Sequence, residues 1–246
     1  MSGAAGILCG KDGTDMKKRY HLLDLVRGIC IILVVWYHVL YNLSEIFGGN
    51  YAFFRSAGMS NFRDGFVGVL MVLAGISGSL TRSNWKRGVK TLGCGLLITA
   101  VMAVVMPDQP ITFGILHFFG CCMLLYAAAR PLIGQISVWP GAAVSLVLFF
   151  LTRNLYYTVT NVPRSFVLFA LGFRTGHYSA DYYPILPRIF LFLTGCFLGR
   201  LFARGAVPEV FEKDPVPALS FLGRHTLLIY LLHQPVVYGV MMLVFS

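Results

Sequence analysis

The sequence predicts an all-α fold, a polytopic transmembrane helix bundle with about seven spans and a candidate re-entrant segment. Hydrophobic residues make up 57% of the 246 residues and charged residues 12%, whereas soluble domains carry roughly 25% charged residues. The mean hydropathy of +0.73 agrees with this composition. Apolar runs of roughly 20 residues, the length that crosses a bilayer as a helix, recur along the chain. These observations exclude an ordinary soluble domain.

The apolar runs set the predicted order of elements. A polar, glycine-rich tail (1–16) is expected to be disordered, and residues 17–246 form a single transmembrane domain. The predicted spans are 22–43, 65–82, 88–106, 111–130, 136–152, 184–204 and 218–244. The apolar segment 163–173 is too short to cross, so it is expected to be re-entrant or interfacial and to pack against protein.

The basic residues indicate how the chain is oriented. With the N-terminus inside, thirteen Lys and Arg residues fall in inner segments and six in outer ones, in agreement with the positive-inside rule. We therefore expect a multi-pass protein of the plasma membrane with a cytoplasmic N-terminus and the lipid bilayer around it. The net charge of +10 comes from short clusters beside apolar runs. No aromatic and basic reading surface emerges, so no nucleic-acid partner is expected.

The first predicted span carries three ionisable residues within an apolar run, "LLDLVRGICIILVVWYHVLYN". At about 100° per residue, Arg27 and His38 lie about 20° apart around the helix, and Asp24 lies within about 60° of both. A charge at the centre of the bilayer costs roughly 2.5–3.5 kcal/mol even on the mildest scale, so this face is expected to line the bundle interior or a water-filled cavity. Asp24 and Arg27 have the i, i+3 spacing of an ion pair, and His38 lies about 16 Å further out.

Further polar residues are predicted at membrane depth on other spans. His117 and His233 fall in the outer halves of the fourth and last spans. Asp64 lies at the outer mouth of the second span, and Arg188 lies one turn into the sixth. Singly, such residues are more often structural, but three His at similar depth, including His38, favour one outward-leaning cavity with a neutral imidazole as general base. No spacing typical of zinc or iron ligands occurs, so no metal is expected.

Five motifs in register resemble one known family. They are "LLDLVRGICIILVVWYHVLYN", "FRDGFVGVLMVLAGISGSL", "ITFGILHFFG", "DYYPILPRIFLFLTGCFLGR" and "FLGRHTLLIYLLHQPVV". Their order is similar to that of the heparan-alpha-glucosaminide N-acetyltransferase-like membrane family, most closely its compact bacterial branch. The first helix also resembles the type-3 membrane acyltransferases, whose Arg-x10-His pattern falls here on Arg27 and His38. Their Tyr-Leu-x-His-x-Pro-like motif on the last helix is approximated by residues 230–235.

The resemblance implies an integral membrane acyltransferase. Such an enzyme moves an acyl group, usually acetyl, from cytoplasmic acyl-CoA to a hydroxyl or amine of a glycan or similar acceptor across the membrane. It implies His38 as the catalytic base and Arg27 as a helper near the CoA path. The lysosomal amine-acetylating enzymes have a His in the outer loop before the second span, where this chain reads "YAFFRSAG". Glucosamine is therefore not carried over as the acceptor.

These arguments give a predicted site with an inner and an outer end. Besides His38, the catalytic candidates are Asp64 and His117, which would orient the acceptor or the base. Clustered cations hold phosphate well, and the candidates for binding acetyl-CoA are Asp24, Arg27, Lys86, Arg87 and Arg224. The candidates for binding the glycan or lipid-linked acceptor are Asn42, Asp181, Arg188 and His233.

Two other interpretations stay open at the level of sequence. Intramembrane His, Asp and Arg residues also mark proton relays and substrate paths, which would suit a transporter or flippase for a small polar or lipid-linked substrate. Against that interpretation, no inverted repeat is visible and seven spans do not divide into halves. A purely structural membrane protein would leave the polar face of the first span unexplained. The acyl chain length, direct or two-step transfer, and the choice between monomer and homodimer also stay open.

Overall fold

A computed structural model describes residues 19–49, 51–159 and 162–245, except for the side chains of Leu155 and Tyr156. The α-helices in this part of the chain are α1 (His21–Tyr41), α2 (Ala57–Leu80), α3 (Asn84–Val105), α4 (Ile115–Ile133), α5 (Val138–Thr152), α6 (Leu155–Thr158), α7 (Phe166–Leu171), α8 (Ile185–Ala203), α9 (Pro217–Arg224) and α10 (Thr226–Phe245). A π-helical turn, Asn42–Ile46, follows α1, and 3₁₀ turns cover Ala52–Arg55 and Glu209–Glu212. The predicted all-α bundle is confirmed, and the predicted disordered tail, 1–16, lies outside the described residues.

Six helices of the described chain are long and apolar enough to cross a membrane: α1 with its π-helical turn, α2, α3, α4, α8 and α10. The remaining predicted span, 136–152, corresponds to α5, which has 15 residues. A helix of that length extends about 22 Å, less than the roughly 30 Å of a hydrocarbon core. Segment 163–173 forms only the six-residue α7, which packs on the protein through buried Phe169. By length and composition, the described part of the chain therefore has six candidate spans and one shorter apolar helix, α5.

The largest differences from the predicted boundaries are in α2 and in the last span. Helix α2 begins at Ala57 rather than at residue 65, because the hydroxyl of Ser56 caps it by accepting a hydrogen bond from the backbone N–H of Met59 at 3.2 Å. Asp64 consequently lies about two turns inside α2. The predicted last span, 218–244, is divided at His225 into α9 and α10. Hydropathy misses both features because it does not register a cap or a one-residue break.

Glycines set the closest helix contacts. A Cβ added at Gly28 of α1 would lie 2.0 Å from a backbone oxygen of α9, and one added at Gly223 of α9 would lie 1.7 Å from a backbone oxygen of α1. Helices α2 and α8 approach equally closely, because a Cβ at either Gly75 or Gly195 would lie 2.0 Å from the other backbone. Membrane helices pack in this way where small residues let backbones meet. The two contacts fix α9 against α1 and α8 against α2.

The buried core lies between α1, α2, α4 and α8. Its largest fully buried apolar side chains are Ile31, Met71, Phe118, Cys122, Phe192 and Cys196. By contrast, α3, α5 and α10 carry many exposed apolar residues, including Val104, Leu151 and Leu243. Exposed apolar surface of this extent suits contact with lipid chains. Among the polar residues of α1 and α10, Asp24 and His233 are buried inside the bundle.

Candidate active site

The end of the site nearest the N-terminus of α1, which the basic residues predict to be the inner end, is an ion pair held between α1 and α2. Arg27 donates to the Asp24 carboxylate at 2.6 Å, which confirms the predicted i, i+3 pair. Its other terminal nitrogen donates to the carbonyl of Leu73 at 3.3 Å and to the hydroxyl of Ser77. Arg19 donates to the second carboxylate oxygen of Asp24 at 3.2 Å. The Asp24–Arg27 end of the predicted polar face of α1 therefore packs against α2.

The predicted cations of the inner side fall into two groups. Arg87 donates to the carbonyl of Ser77 at 3.3 Å, so it approaches Arg27 at the same residue of α2. The two guanidinium groups also interact electrostatically. Lys86 and Arg224 are exposed, and Arg224 lies over the ring of Phe221 at 5.7 Å. The structure thus brings Arg27 and Arg87 together, whereas Lys86 and Arg224 are free to approach a ligand from the surface.

A cavity at the inner end was not anticipated from the sequence. Its volume is about 420 Å³. It is lined by Tyr20, Ser79, Leu80, Phe202, Ala203, Arg204 and Gly205. Arg204 was not among the candidate site residues, because nothing in the sequence pattern indicated a space between Tyr20 and the ends of α2 and α8.

His38 lies at the outer end of α1 and has a defined tautomer. Its Nδ1 is 2.9 Å from the carbonyl oxygen of Val34. A carbonyl only accepts hydrogen bonds, so Nδ1 carries the proton. In the neutral ring Nε2 is then a free acceptor. An imidazole held in this way can take a proton at Nε2 without first changing its tautomer.

His233 of α10 packs directly against His38. The two ring centroids are 4.6 Å apart and the rings are nearly perpendicular, at 80°. The Nδ1 of His233 donates to the carbonyl of Tyr230 at 2.6 Å, so its Nε2 is also a free acceptor. That Nε2 is buried and has no hydrogen-bond partner within the described part of the chain. The two residues, far apart in sequence, therefore bring two imidazole rings into contact, and each ring has an unprotonated Nε2 when neutral.

Asn42 connects the same two helices beyond the histidines. It is fully buried in the π-helical turn that follows α1. Its side-chain oxygen accepts a hydrogen bond from the amide of Gln234 at 3.0 Å. π-Helical turns are rare and often mark functional sites. Gln234 had no predicted role, although it lies inside the motif quoted for the last helix.

Asp181 joins the outer loop to two helices. One carboxylate oxygen accepts hydrogen bonds from the backbone N–H of Ile115 at 3.2 Å and from the hydroxyl of Tyr230 at 3.1 Å. Burial raises the pKa of Asp181, and these two hydrogen bonds oppose the rise. The carboxylate also interacts electrostatically with His233. Asp181 therefore fixes α10 relative to the start of α4 on the side where His233 lies.

His117 has both ring nitrogens engaged. Its Nδ1 accepts from the backbone N–H of Gly114 at 3.2 Å, as a capping side chain does at the start of a helix. Its Nε2 must then carry the proton, which it donates to the hydroxyl of Thr99 at 3.2 Å. Thr99 in turn donates to the carbonyl of Ile111 at 2.6 Å. In this conformation His117 presents no free acceptor, which distinguishes it from the other two histidines.

Asp64 and Arg188 lie around Tyr183, at the end of the bundle that is predicted to be the outer one. Asp64 has about half of its side chain exposed, 49%, and pairs with Arg63 at 3.0 Å. Arg63 also donates to the hydroxyl of Tyr37 at 3.3 Å. Arg188 lies over the ring of Tyr183 at 5.1 Å. Burial raises the pKa of Tyr183, which interacts electrostatically with Asp64 and Arg188. These residues form a polar outer rim above the histidine pair.

The described residues offer no cluster of three or more His, Cys, Asp or Glu side chains that could hold a metal ion. What they offer is acid–base chemistry at His38, with cations on the inner side and mixed charges on the outer side. His117, Tyr230 and Asp181 supply fixed hydrogen bonds around that centre.

Comparison with known proteins gives one match. A family model described as heparan-alpha-glucosaminide N-acetyltransferase, catalytic, matches residues 19–235, which is most of the chain. No curated protein and no solved structure matches the chain. The matched region begins just before α1 and ends within α10, so it contains every residue of the candidate site. The chain is therefore a multi-pass membrane protein that belongs to the heparan-alpha-glucosaminide N-acetyltransferase catalytic family.

Proposed function

We propose that the chain transfers an acyl group, usually acetyl, from cytoplasmic acyl-CoA to a hydroxyl or amine of a glycan or lipid-linked acceptor on the other side of the membrane. One observation carries the proposal. The bond from His38 Nδ1 to Val34 leaves the Nε2 of His38 as a free acceptor inside the bundle, in a chain of an acetyltransferase family. A neutral imidazole with one free nitrogen is the usual general base near pH 7.

The donor binds at the inner end in this proposal. Arg27 and Arg87, which meet at Ser77, bind the phosphates of acetyl-CoA, and exposed Lys86 and Arg224 assist from the surface. Guanidinium groups suit this task because their donors match phosphate oxygens in pairs. Asp24 holds Arg27 in place through the 2.6 Å contact. The acyl arm then extends outward along α1, because His38 lies about 16 Å further along the helix.

The acceptor enters from the outer end. Asn42, Asp181, Arg188 and His233 supply the polar contacts for a sugar or similar group. Asp64 and His117 act by orienting, since Asp64 pairs with Arg63 and both nitrogens of His117 are bonded. Their effect on transfer is therefore expected to be smaller than that of His38.

The chemical step begins when His38 Nε2 takes the proton of the acceptor hydroxyl or amine. The acceptor lone pair forms a bond to the thioester carbonyl carbon, the carbon–sulfur bond breaks, and its electron pair leaves on the CoA sulfur. A route through an acyl-histidine uses the same nitrogen. Both routes need a passage across the membrane, which fits a multi-pass protein of the plasma membrane of a bacterium with the N-terminus in the cytoplasm.

The test uses vesicles from cells that express the chain, supplied with acetyl-CoA labelled in the acetyl group. We expect label in the glycan or lipid fraction and a loss of about 10²–10⁴-fold with His38→Ala, the usual contribution of a general base. The matched control is His225→Ala, because His225 makes the same bond from Nδ1 to a carbonyl four residues earlier but is exposed. Activity of His38→Ala within tenfold of wild type would show that the assigned base is wrong. Intact substrate crossing without label transfer would indicate a transporter.

A further inference from the structure

The histidine pair has two acceptors and lacks a donor. His38 and His233 each commit the Nδ1 proton to a backbone carbonyl of their own helix, at 2.9 Å and 2.6 Å. Each therefore keeps an unprotonated Nε2 when neutral. The ring centroids lie 4.6 Å apart. The rings are nearly perpendicular, at 80°, so one additional proton would occupy either Nε2 and give the pair a donor.

The environment of His233 makes its free nitrogen unusual. The residue is 7% exposed, and its Nε2 has no hydrogen-bond partner among the described residues. Buried acceptors are nearly always paired, and an unpaired one in a native structure calls for an explanation. The explanation that the geometry offers is a proton, or a proton donor, that occupies the site for part of a reaction cycle.

The surrounding bonds hold the two rings at this separation. Tyr230, one turn before His233, is bonded to Asp181, and Gln234, the next residue, is bonded to Asn42. Two further titratable groups lie next to the pair: Tyr37, beside His38, and Arg63 of α2, which bonds to Tyr37. None of these bonds uses an Nε2 atom, so each Nε2 remains free to take up a proton.

We propose that His233 is the second proton-carrying group of the transfer reaction, and that the two histidines hold one proton between them. His38 Nε2 accepts the proton of the acceptor hydroxyl or amine as the acceptor lone pair bonds to the acyl carbon. That proton passes to His233 Nε2, directly or through one water. The carbon–sulfur bond breaks with its electron pair on sulfur, and the proton from His233 completes the CoA thiol. Both histidines end the cycle neutral, and no further reactant is needed.

This inference rests on the proposed function for its catalytic part, so one experiment addresses the pair without any reaction. The full chain, labelled with ¹⁵N in the histidine rings, is titrated by NMR in lipid nanodiscs, and signals are assigned with His38→Gln and His233→Asn. We expect the pair to protonate in two steps separated by more than about one pH unit, as interacting sites do. His38 should titrate in one step in His233→Asn. Midpoints that do not change when the partner is replaced would overturn the proposal.

The second experiment measures transfer of labelled acetyl groups from acetyl-CoA in the vesicle assay. Asn keeps a hydrogen-bonding group but carries no proton, so His233→Asn should lower kcat by about 10²-fold with the KM for acetyl-CoA nearly unchanged. His225→Asn is the matched control and should transfer at the wild-type rate. A kcat of His233→Asn within about threefold of wild type would overturn the proton-carrying role. Absence of transfer by the wild-type chain would instead contradict the proposed function, and the NMR titration would still decide whether the pair shares a proton.

Discussion

The contact between α1 and α9 allows a sharp stability prediction for Gly28→Ala. A Cβ at this position would lie 2.0 Å from the backbone oxygen of Leu219, whereas ordinary van der Waals contact begins at 3.4 Å. The two helices would therefore have to separate by about 1.4 Å. A backbone oxygen cannot rotate aside as a side chain does, so the whole of α9 has to move.

The expected cost follows from two opposing effects. Overpacking a close contact costs about 1–3 kcal/mol, and a clash with backbone belongs at the upper end of that range. Replacing Gly by Ala inside a helix stabilises the helix by about 1 kcal/mol. We therefore expect Gly28→Ala to lower the free energy of unfolding by about 2 kcal/mol. Because α9 leads directly into α10, which carries His233, the rate of acyl transfer should also fall, as misplacements of about 1 Å can cost about 10²-fold.

The assay is thermal unfolding of the purified protein in detergent, followed by circular dichroism. Gly93→Ala is the matched control, because a Cβ at Gly93 of α3 would have no atom within 4 Å. That variant should melt at or slightly above the wild-type temperature. If Gly28→Ala melts as high as Gly93→Ala, the close approach of α1 and α9 is not a structural constraint and the reasoning is refuted.

The remaining predictions concern charged groups. Burial raises the pKa of Asp181, so the folded chain binds this proton more tightly than the unfolded chain, and the stability it contributes is lost as the pH rises through the folded pKa. The melting temperature of the wild type should therefore fall from about pH 4 towards neutral pH relative to that of Asp181→Asn, and parallel curves would contradict this. Asp24→Asn and Arg27→Gln should show a coupling of about 1–3 kcal/mol in a double-mutant cycle of unfolding, and additive effects would mean that the ion pair contributes nothing. Arg200→Met should lower the melting temperature, because Arg200 donates to three carbonyls at and after the end of α4; a wild-type value would argue against that role.

Several features of the site follow from helical geometry and residue spacing, which can be read directly from the sequence. The spacing of Asp24, Arg27 and His38 places them on one face of a helix, because a helix turns by about 100° per residue whatever surrounds it. The ion pair at the inner end follows from the same geometry, and the structure confirms it. The cost of charge in lipid then directs that face inward.

Other features depended on distant parts of the chain. The sequence placed His117, His38 and His233 at similar depth but did not indicate which of their ring nitrogens are bonded. Only the tertiary structure shows that His117 is bonded at both nitrogens while the other two share a contact at 4.6 Å. A hydropathy profile contains no information about which lone pairs are occupied, since that depends on the neighbours each ring meets.

By itself, the sequence determined that this chain is a helical membrane protein with a polar face on its first span, because composition and helical periodicity act within each segment. The tertiary structure decided which spans meet, and where. Helix α9 can reach α1 only because Gly28 and Gly223 leave room for two backbones, and that approach carries His233 to His38. Packing between segments is a property of matched surfaces, and a single segment does not reveal its partner.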